Sequence, residues 1–202
     1  LMQGAIFKSF GGQVQNIPTY VKAMLAADTG WLMADIDKSA SESWCTAALS
    51  KEPGLWAALE SGRDFHCHNG AMFFGLTYEL VVKERKDAKA AGKKDGEIRI
   101  LSKKINHGAN YNMMAKVMVQ TMGEDNVMKA KRLLLDVYKA ANNQTAYDKL
   151  RVCITAEDVA EYLLRRFENV YPRIRKDWQT EIIQEVKATG QIKSVSGWTR
   201  AT

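Results

Sequence analysis

The sequence predicts a mostly helical α+β fold, with a helical body inserted on a small antiparallel sheet. Three observations carry that expectation. Apolar residues recur at helical spacing through most of residues 39–187. Two short extended patterns, 31–37 and 192–199, fall near opposite ends of the chain, so they enclose the helices. Finally, 46% of the 202 residues are hydrophobic, with five Trp among them, which is enough for a core.

Residues 1–18 read as an extended arm. It is broken at Phe10-Gly11-Gly12 and ends on Gln15-Asn16-Ile17-Pro18, whose last step disfavours helix. Residues 31–37 read as a buried strand ending in acid. Ser39-Ala40-Ser41-Glu42 has the form of a capping box, so a helix is expected to begin there and run through Leu49. Pro53 opens a second helix, through Leu59, closed by Gly62. Residues 66–74 form a third, and the charged stretch 78–91 a solvated fourth, followed by a loop at 92–96. A basic helix follows, to about Met122. Residues 125–141 are amphipathic, with Val127, Leu133, Leu134 and Val137 inward, and 142–145 connect onward. Thr155-Ala156-Glu157-Asp158 opens a helix to about Asn169. Pro172 opens the last long helix, through Lys187, and Gly190 stops it. Residues 192–199 then begin a hairpin.

The formal charge of +6 favours acidic partners, nucleic acid first. Cys45, Cys67 and Cys153 are far apart with no CxxC, which argues against a disulfide framework or zinc site and for a reducing cytoplasm. No apolar run reaches the ~20 residues of a membrane helix, so no membrane partner is expected. The chain begins on Leu1 and stops just after the start of the hairpin, as a fragment would.

The basic helix carries the clearest chemical pattern. At about 100° per residue, Arg99, Lys103, His107 and Tyr111 form a slowly winding stripe. At about 1.5 Å per residue it is about 18 Å long. Asn106 and Asn110 lie beside it, and Leu101, Ile105, Gly108 and Ala109 face the other way. Two cations can grip phosphates and two rings can stack beside a nucleotide, although the same pattern also fits an ordinary solvated face. Asp37 ends an apolar strand, where a carboxylate needs a partner and Mg²⁺ suits it. Alternation puts Asp35 on the same strand face, so either could be the ligand. Glu42, inside the capping box, could be no more than a cap. His66, Cys67 and His68 are too close in sequence to share a helix face, which argues against a metal there.

In this order the motifs resemble the palm-and-fingers region of a family A DNA polymerase, the class of bacterial DNA polymerase I and many phage replicases. Gln15-Asn16-Ile17-Pro18 matches the family's QNIP segment. Asp37-Lys38-Ser39-Ala40-Ser41-Glu42 matches its first catalytic motif, usually DYSQIE. Asp64-Phe65-His66 and Phe74-Gly75-Leu76 match the DIH…FG stretch. Arg99 to Tyr111 matches the O-helix motif RxxxKxxxFxxxY, and Tyr171-Pro172, Gly190 and Ser196-Gly197 match the tail of the fingers. The chain departs from the pattern at Lys38, Ala40, Trp44, His107 and Asn112, which stand where the family has Tyr, Gln, Arg, an aromatic ring and Gly. It also carries extra charged stretches at about 83–97 and between Gly123 and Cys153. The resemblance is to a divergent, phage-like member.

The resemblance implies helical fingers (61–187) inserted on an antiparallel palm sheet (1–60 and 188–202). It implies template-directed transfer of a nucleotidyl group from a dNTP to a primer 3′-OH, with two Mg²⁺ ions, in a bacterial or phage-infected cytoplasm. Asp37 and the Lys38 carbonyl would hold metal. Arg99 and Lys103 would clamp phosphates, with Lys103 a proton donor to pyrophosphate. His66 would touch the phosphate tail, His107 would pack on sugar and base, Tyr111 would close over the templating position, and Glu42 would reject ribose. Gln15, Asn16, Asn112 and Arg200 would contact primer-template DNA. The family's second catalytic carboxylate, in an HDE-like motif, is expected downstream of residue 202 and the thumb upstream of residue 1. The other readings are a catalytically silent nucleic-acid-binding module or truncated polymerase piece, and a helical structural protein with a basic face.

Overall fold

The computed structural model describes residues 20, 24, 29–31, 39–194 and 197–201. The chain divides into two compact units, Leu1–Ser39 and Ala40–Thr202, and nearly all described residues lie in the second. The arm at 1–18 and the strand at 31–37 after Trp31 lie outside the described residues. So do Gln15, Asn16, Asp35, Asp37 and Lys38.

The second unit is a helical body with a small hairpin at its end. Its helices are α1 (Ser41–Ser50), α2 (Pro53–Glu60), α3 (Phe65–Phe74), α4 (Tyr78–Ala90), α5 (Glu97–Asn110) and α6 (Ala115–Met122). They continue as α7 (Glu124–Ala140), α8 (Gln144–Arg151), α9 (Ala156–Val170), a π-helical segment (Ile174–Gln179) and α10 (Thr180–Thr189). The hairpin pairs β1 (Gln191–Lys193) with β2 (Thr199–Ala201) antiparallel, with Ile192 opposite Arg200. The mostly helical α+β class is as expected.

Where local chemistry is strong, the boundaries follow it. The Asp64 carboxylate caps α3 by accepting from the Cys67 amide at 2.9 Å. Thr155 and Asp158 form a full capping box at the start of α9. Gly190, at φ 67°, ends α10 in the left-handed conformation that glycine enters without steric cost.

Four expectations are corrected. The capping box at 39–42 does not form: α1 starts from Ala40 at φ 53° with no side-chain cap, and the Glu42 carboxylate points elsewhere. The basic helix does not reach Met122. It ends at Asn110, and the chain turns through Asn112 at φ 53° before α6. The resemblance puts Gly at this position, and Asn is among the few other residues that accept it. Residues 142–145 are more than a connection, because the Asn143 side chain accepts from the Ala146 amide and starts α8. Pro172 leads into π-helical turns, and regular α-helix begins only at Thr180.

The core is not built from tryptophan either. Trp31 and Trp198 are exposed, and no Trp is among the buried residues. Instead Phe73, Phe167 and Tyr171 pack ring against ring, with centroids 5.4–6.3 Å apart, and Phe74 is fully buried nearby in sequence. Val159, Leu163 and Phe167 recur every fourth residue along α9 and are all buried, so its apolar stripe supplies much of that core. Helix α5 crosses α3 closely at Gly70, where an added Cβ would lie 3.0 Å from Ile98 Cγ2. That closeness brings the polar edge of α5 beside the start of α3.

Candidate functional site

The stripe on α5 forms, and the structure divides it into a tethered head and an open tail. Arg99 is the head. Its Nε and Nη2 donate to the Asp64 carboxylate at 3.0 and 3.1 Å, and its Nη1 donates to Asp95 Oδ2 at 2.5 Å. Arg85, from α4, donates to the same two carboxylates, at 3.0 Å to Asp64 and 2.9 Å to Asp95. Two guanidinium groups and two carboxylates thus close a partly buried ring of ion pairs. Burial by itself would raise the Asp64 pKa, but the hydrogen bond from Arg99, the Cys67 amide and the Arg99 charge outweigh it and hold it at about 2. Asp95 is likewise held low against its burial, by the Gly96 amide, Arg99 and Arg85.

The start of α5 has no side-chain cap of its own, since Gly96 occupies the N-cap position. Glu84, on α4, replaces it: its carboxylate accepts from the Glu97 amide at 2.7 Å. A Cβ at residue 96 would lie 2.9 Å from the Arg85 Cα, so only glycine allows α4 to come this near. The extra charged stretch therefore holds the head of α5 in place.

Lys103 is exposed, and among the described residues it has no hydrogen-bond or ion-pair partner. One turn further, His107 and Tyr111 pack ring against ring, tilted by 59° with centroids 4.9 Å apart. Both meet Glu42 of α1: the Tyr111 hydroxyl donates to Oε1 at 2.9 Å, and His107 Nδ1 lies 3.2 Å from Oε2. Accepting the Tyr111 hydrogen bond is the main reason that the tyrosine pKa is raised. Glu42, which the sequence offered first as a cap, is thus a bridge between two helices and two exposed rings.

Beneath this surface runs a buried polar ladder. Tyr171 donates to Asn69 Oδ1 at 2.6 Å, Asn69 donates to Asn106 Oδ1 at 3.0 Å, and Asn106 donates to Ser43 Oγ at 3.3 Å. Ser43 adjoins Glu42 on α1, so the ladder fixes α1 against α5. At the far end of α5, the Gln179 amide donates to the carbonyls of Ala109 and Asn110 at 3.0 and 2.9 Å, satisfying groups that a helix end leaves open.

His66 sits half-buried at the start of α3, with its Nδ1 buried and unpartnered among the described residues. Burial, then the charges of Arg99 and Lys103, lower its pKa from 6.5 to about 4, with Asp64 and Asp95 opposing. A lowered histidine pKa means that the folded state refuses a proton which the unfolded chain accepts. Stability should therefore fall as the pH drops from 6.5 to 4 and level off below. The depressed Asp64 then adds a second loss between 3.8 and about 2. Urea midpoints across this range should show the first step in wild type and a smaller one in His66→Gln, the remainder belonging to His68, whose pKa burial and the Arg63 charge also lower. An unchanged step in the variant would assign it to another group.

The structure therefore brings Glu42, His107 and Tyr111 together, and sets Arg99, Lys103 and His66 within one electrostatic neighbourhood. Arg200 stands exposed on β2, and Asn112 is half-buried in the turn after α5. Among the described residues, no group of three His, Cys, Asp or Glu could hold a metal ion, and no helix is long and apolar enough to cross a membrane. Asp64, Arg85, Asp95, Glu84 and the ladder were missed as site residues. Asp95 had a local signal, lying four residues before Arg99 just ahead of the basic helix. The others had none, being 10 to 102 residues from these partners.

No protein-family model matches the chain. Over 190 residues, 91% of the chain, it is 24% identical to the thermostable DNA polymerase I of Thermus filiformis and 23% identical to that of Thermus aquaticus. It spans 17% of the length of these curated relatives. Its fold is similar to that of the POL domain of Pol1 from M. smegmatis, solved in complex with DNA primer-template and dNTP. The TM-score is 0.53 at 18% identity, over 82% of this chain and 21% of that one. The expected resemblance, like the expected fold class, is borne out by these similarities.

Proposed function

We infer that the chain is a stretch of a family A DNA polymerase, and that α5 is the face on which it takes up the incoming deoxynucleoside triphosphate. The observation that carries this reading is the exposed run Lys103, His107, Tyr111 with Arg99 at its head. One uncompensated cation stands beside an anchored guanidinium and two rings in contact, in the order that phosphate, sugar and base require. Residues 61–187 are the fingers in this reading, and 1–60 and 188–202 belong to the palm, in a phage-like enzyme of the cytoplasm.

Each side chain then has a task its surroundings suit. The Lys103 ammonium attracts the phosphate tail and donates a proton to the departing pyrophosphate. Arg99 has five N–H groups. One on Nε, one on Nη1 and one on Nη2 are engaged, which leaves one on each Nη for a phosphate oxygen. His66, kept neutral, adds a hydrogen bond without repelling its cationic neighbours. His107 and Tyr111 offer their faces to sugar and base. Glu42, tied to both rings, stands where a 2′-hydroxyl would crowd it. Asn112, Gln15, Asn16 and Arg200 contact primer-template DNA. Asp37 and the Lys38 carbonyl are the residues for Mg²⁺, the carboxylate being the hard oxygen donor such an ion takes. Bound there, Mg²⁺ would supply Lewis-acid stabilisation of the negative charge on the phosphate oxygens.

The test is binding by the 202-residue chain itself, followed by calorimetry. A dNTP should bind more tightly than the matching rNTP, and Glu42→Ala should narrow the difference. No nucleotide binding up to about 1 mM, an affinity floor near 4 kcal/mol, would remove the reading. DNA binding without nucleotide binding would favour the catalytically silent module.

A further inference from the structure

We propose that Asp95 and Arg85 are positioning residues that set nucleotide affinity through Arg99: Asp95 holds one side of the guanidinium, and Arg85 keeps that carboxylate paired when a triphosphate claims Arg99. The proposal rests on the reading of α5 given above. Neither residue lies on the stripe, and both belong to the charged stretch that the family resemblance leaves over.

The geometry is that of a two-position contact. Asp64 holds Arg99 along the edge formed by Nε and Nη2, through paired bonds of 3.0 and 3.1 Å. That edge fixes where the guanidinium lies. Asp95 takes Nη1, the nitrogen beyond that edge, at 2.5 Å. An arriving phosphate can reach the free N–H on each Nη, but it must compete with this carboxylate for the guanidinium charge and for the Nη1 donor that Asp95 engages.

Arg85 makes the exchange feasible. It already bonds Asp95 Oδ1 at 2.9 Å and Asp64 Oδ2 at 3.0 Å. If Arg99 turns its Nη1 to a phosphate, Asp95 keeps a cation and no partly buried carboxylate is left bare. Such bare charges are the costly outcome in a desolvated setting. The four groups sum to zero charge, so within the closed ring Arg99 contributes little long-range attraction, and Lys103 contributes most. The side chains are only 16–27% exposed, so solvent screens their contacts less than it does surface pairs.

The two residues should act with opposite signs. Measured by calorimetry on the full chain with a dNTP, Asp95→Asn should tighten binding about fivefold by releasing Nη1, and Arg85→Met should weaken it about fivefold. Arg85→Lys, which keeps the charge with less disturbance to folding, should fall between wild type and Arg85→Met. Both effects should vanish in an Arg99→Gln background, since a contact exerted through Arg99 needs it. Shifts that persist unchanged in that background would be bulk charge effects, and weakening by both variants would be structural damage. Either overturns the proposal. Wild-type binding that Lys103→Ala abolishes but Asp95→Asn leaves unmoved overturns the proposal alone. Absence of wild-type binding removes the reading and the proposal together.

Discussion

Asn69→Ala should lower the unfolding free energy by about 2–4 kcal/mol, a large effect for a substitution that removes so little apolar surface. Asn69 is fully buried and is the centre of the ladder. Its side chain accepts from Tyr171 at 2.6 Å and donates to Asn106 at 3.0 Å. Alanine leaves a buried hydroxyl without an acceptor and a buried carbonyl without that donor, at about 1–3 kcal/mol each. Tyr171→Phe alone should cost less, about 1–2 kcal/mol, because it orphans one group. The double variant Asn69→Ala/Tyr171→Phe should cost less than the sum of the two, since the tyrosine's orphan no longer exists. Urea unfolding of the four proteins gives the cycle directly, and strict additivity would mean that the ladder is not a single unit. Because Ser43 is its last rung, Asn69→Ala should also loosen Glu42 against His107 and Tyr111. Discrimination between dNTP and rNTP should narrow with it.

Lys103→Ala should weaken dNTP binding about tenfold to a hundredfold, the range of a charge-assisted contact to phosphate, and leave stability within about 0.5 kcal/mol. Lys103 is exposed, and among the described residues it has no polar partner to lose. Arg99→Ala should weaken binding too, but with a clear loss of stability, because it strips Asp64 of two paired bonds and Asp95 of a third. The pair of variants separates a residue that acts on a ligand from one that also holds the fold. Calorimetry for affinity and urea midpoints for stability check both halves. Unchanged affinity in Lys103→Ala would show that the stripe is a solvated face.

Much of the fold was legible because much of it is local. The ends of α2, α3, α9 and α10 follow from Pro53, Asp64, Thr155 with Asp158, and Gly190, residues whose effect reaches four positions or fewer. The errors share one cause as well. At Ser39 to Glu42 the letters of a capping box were present, yet Ala40 in the left-handed region started the helix, and the acid found His107 and Tyr111 instead. A cap contributes about 1 kcal/mol, and two partners on a neighbouring helix outbid it. The basic helix was extended too far because no proline or glycine marks its end. Asn112 turns the chain, and only its backbone angle shows it.

The identity and order of the stripe are properties of the chain alone. A helix turns by a set angle per residue, so Arg99, Lys103, His107 and Tyr111 had to share a face wherever α5 packed. Which of them is free was settled by packing. Arg99 is tied because Asp64, 35 residues away, caps a helix that crosses α5 at a glycine, and because Asp95 and Arg85 close the ring around it. Glu42 meets His107 and Tyr111 across 65 and 69 residues through a ladder whose members are 37 to 102 residues apart. Such partners leave no mark in sequence spacing. Their pairing gains only when the intervening core has already met the entropy of bringing distant segments together, so the charges of the stripe are local chemistry, and their availability is a consequence of the packed core.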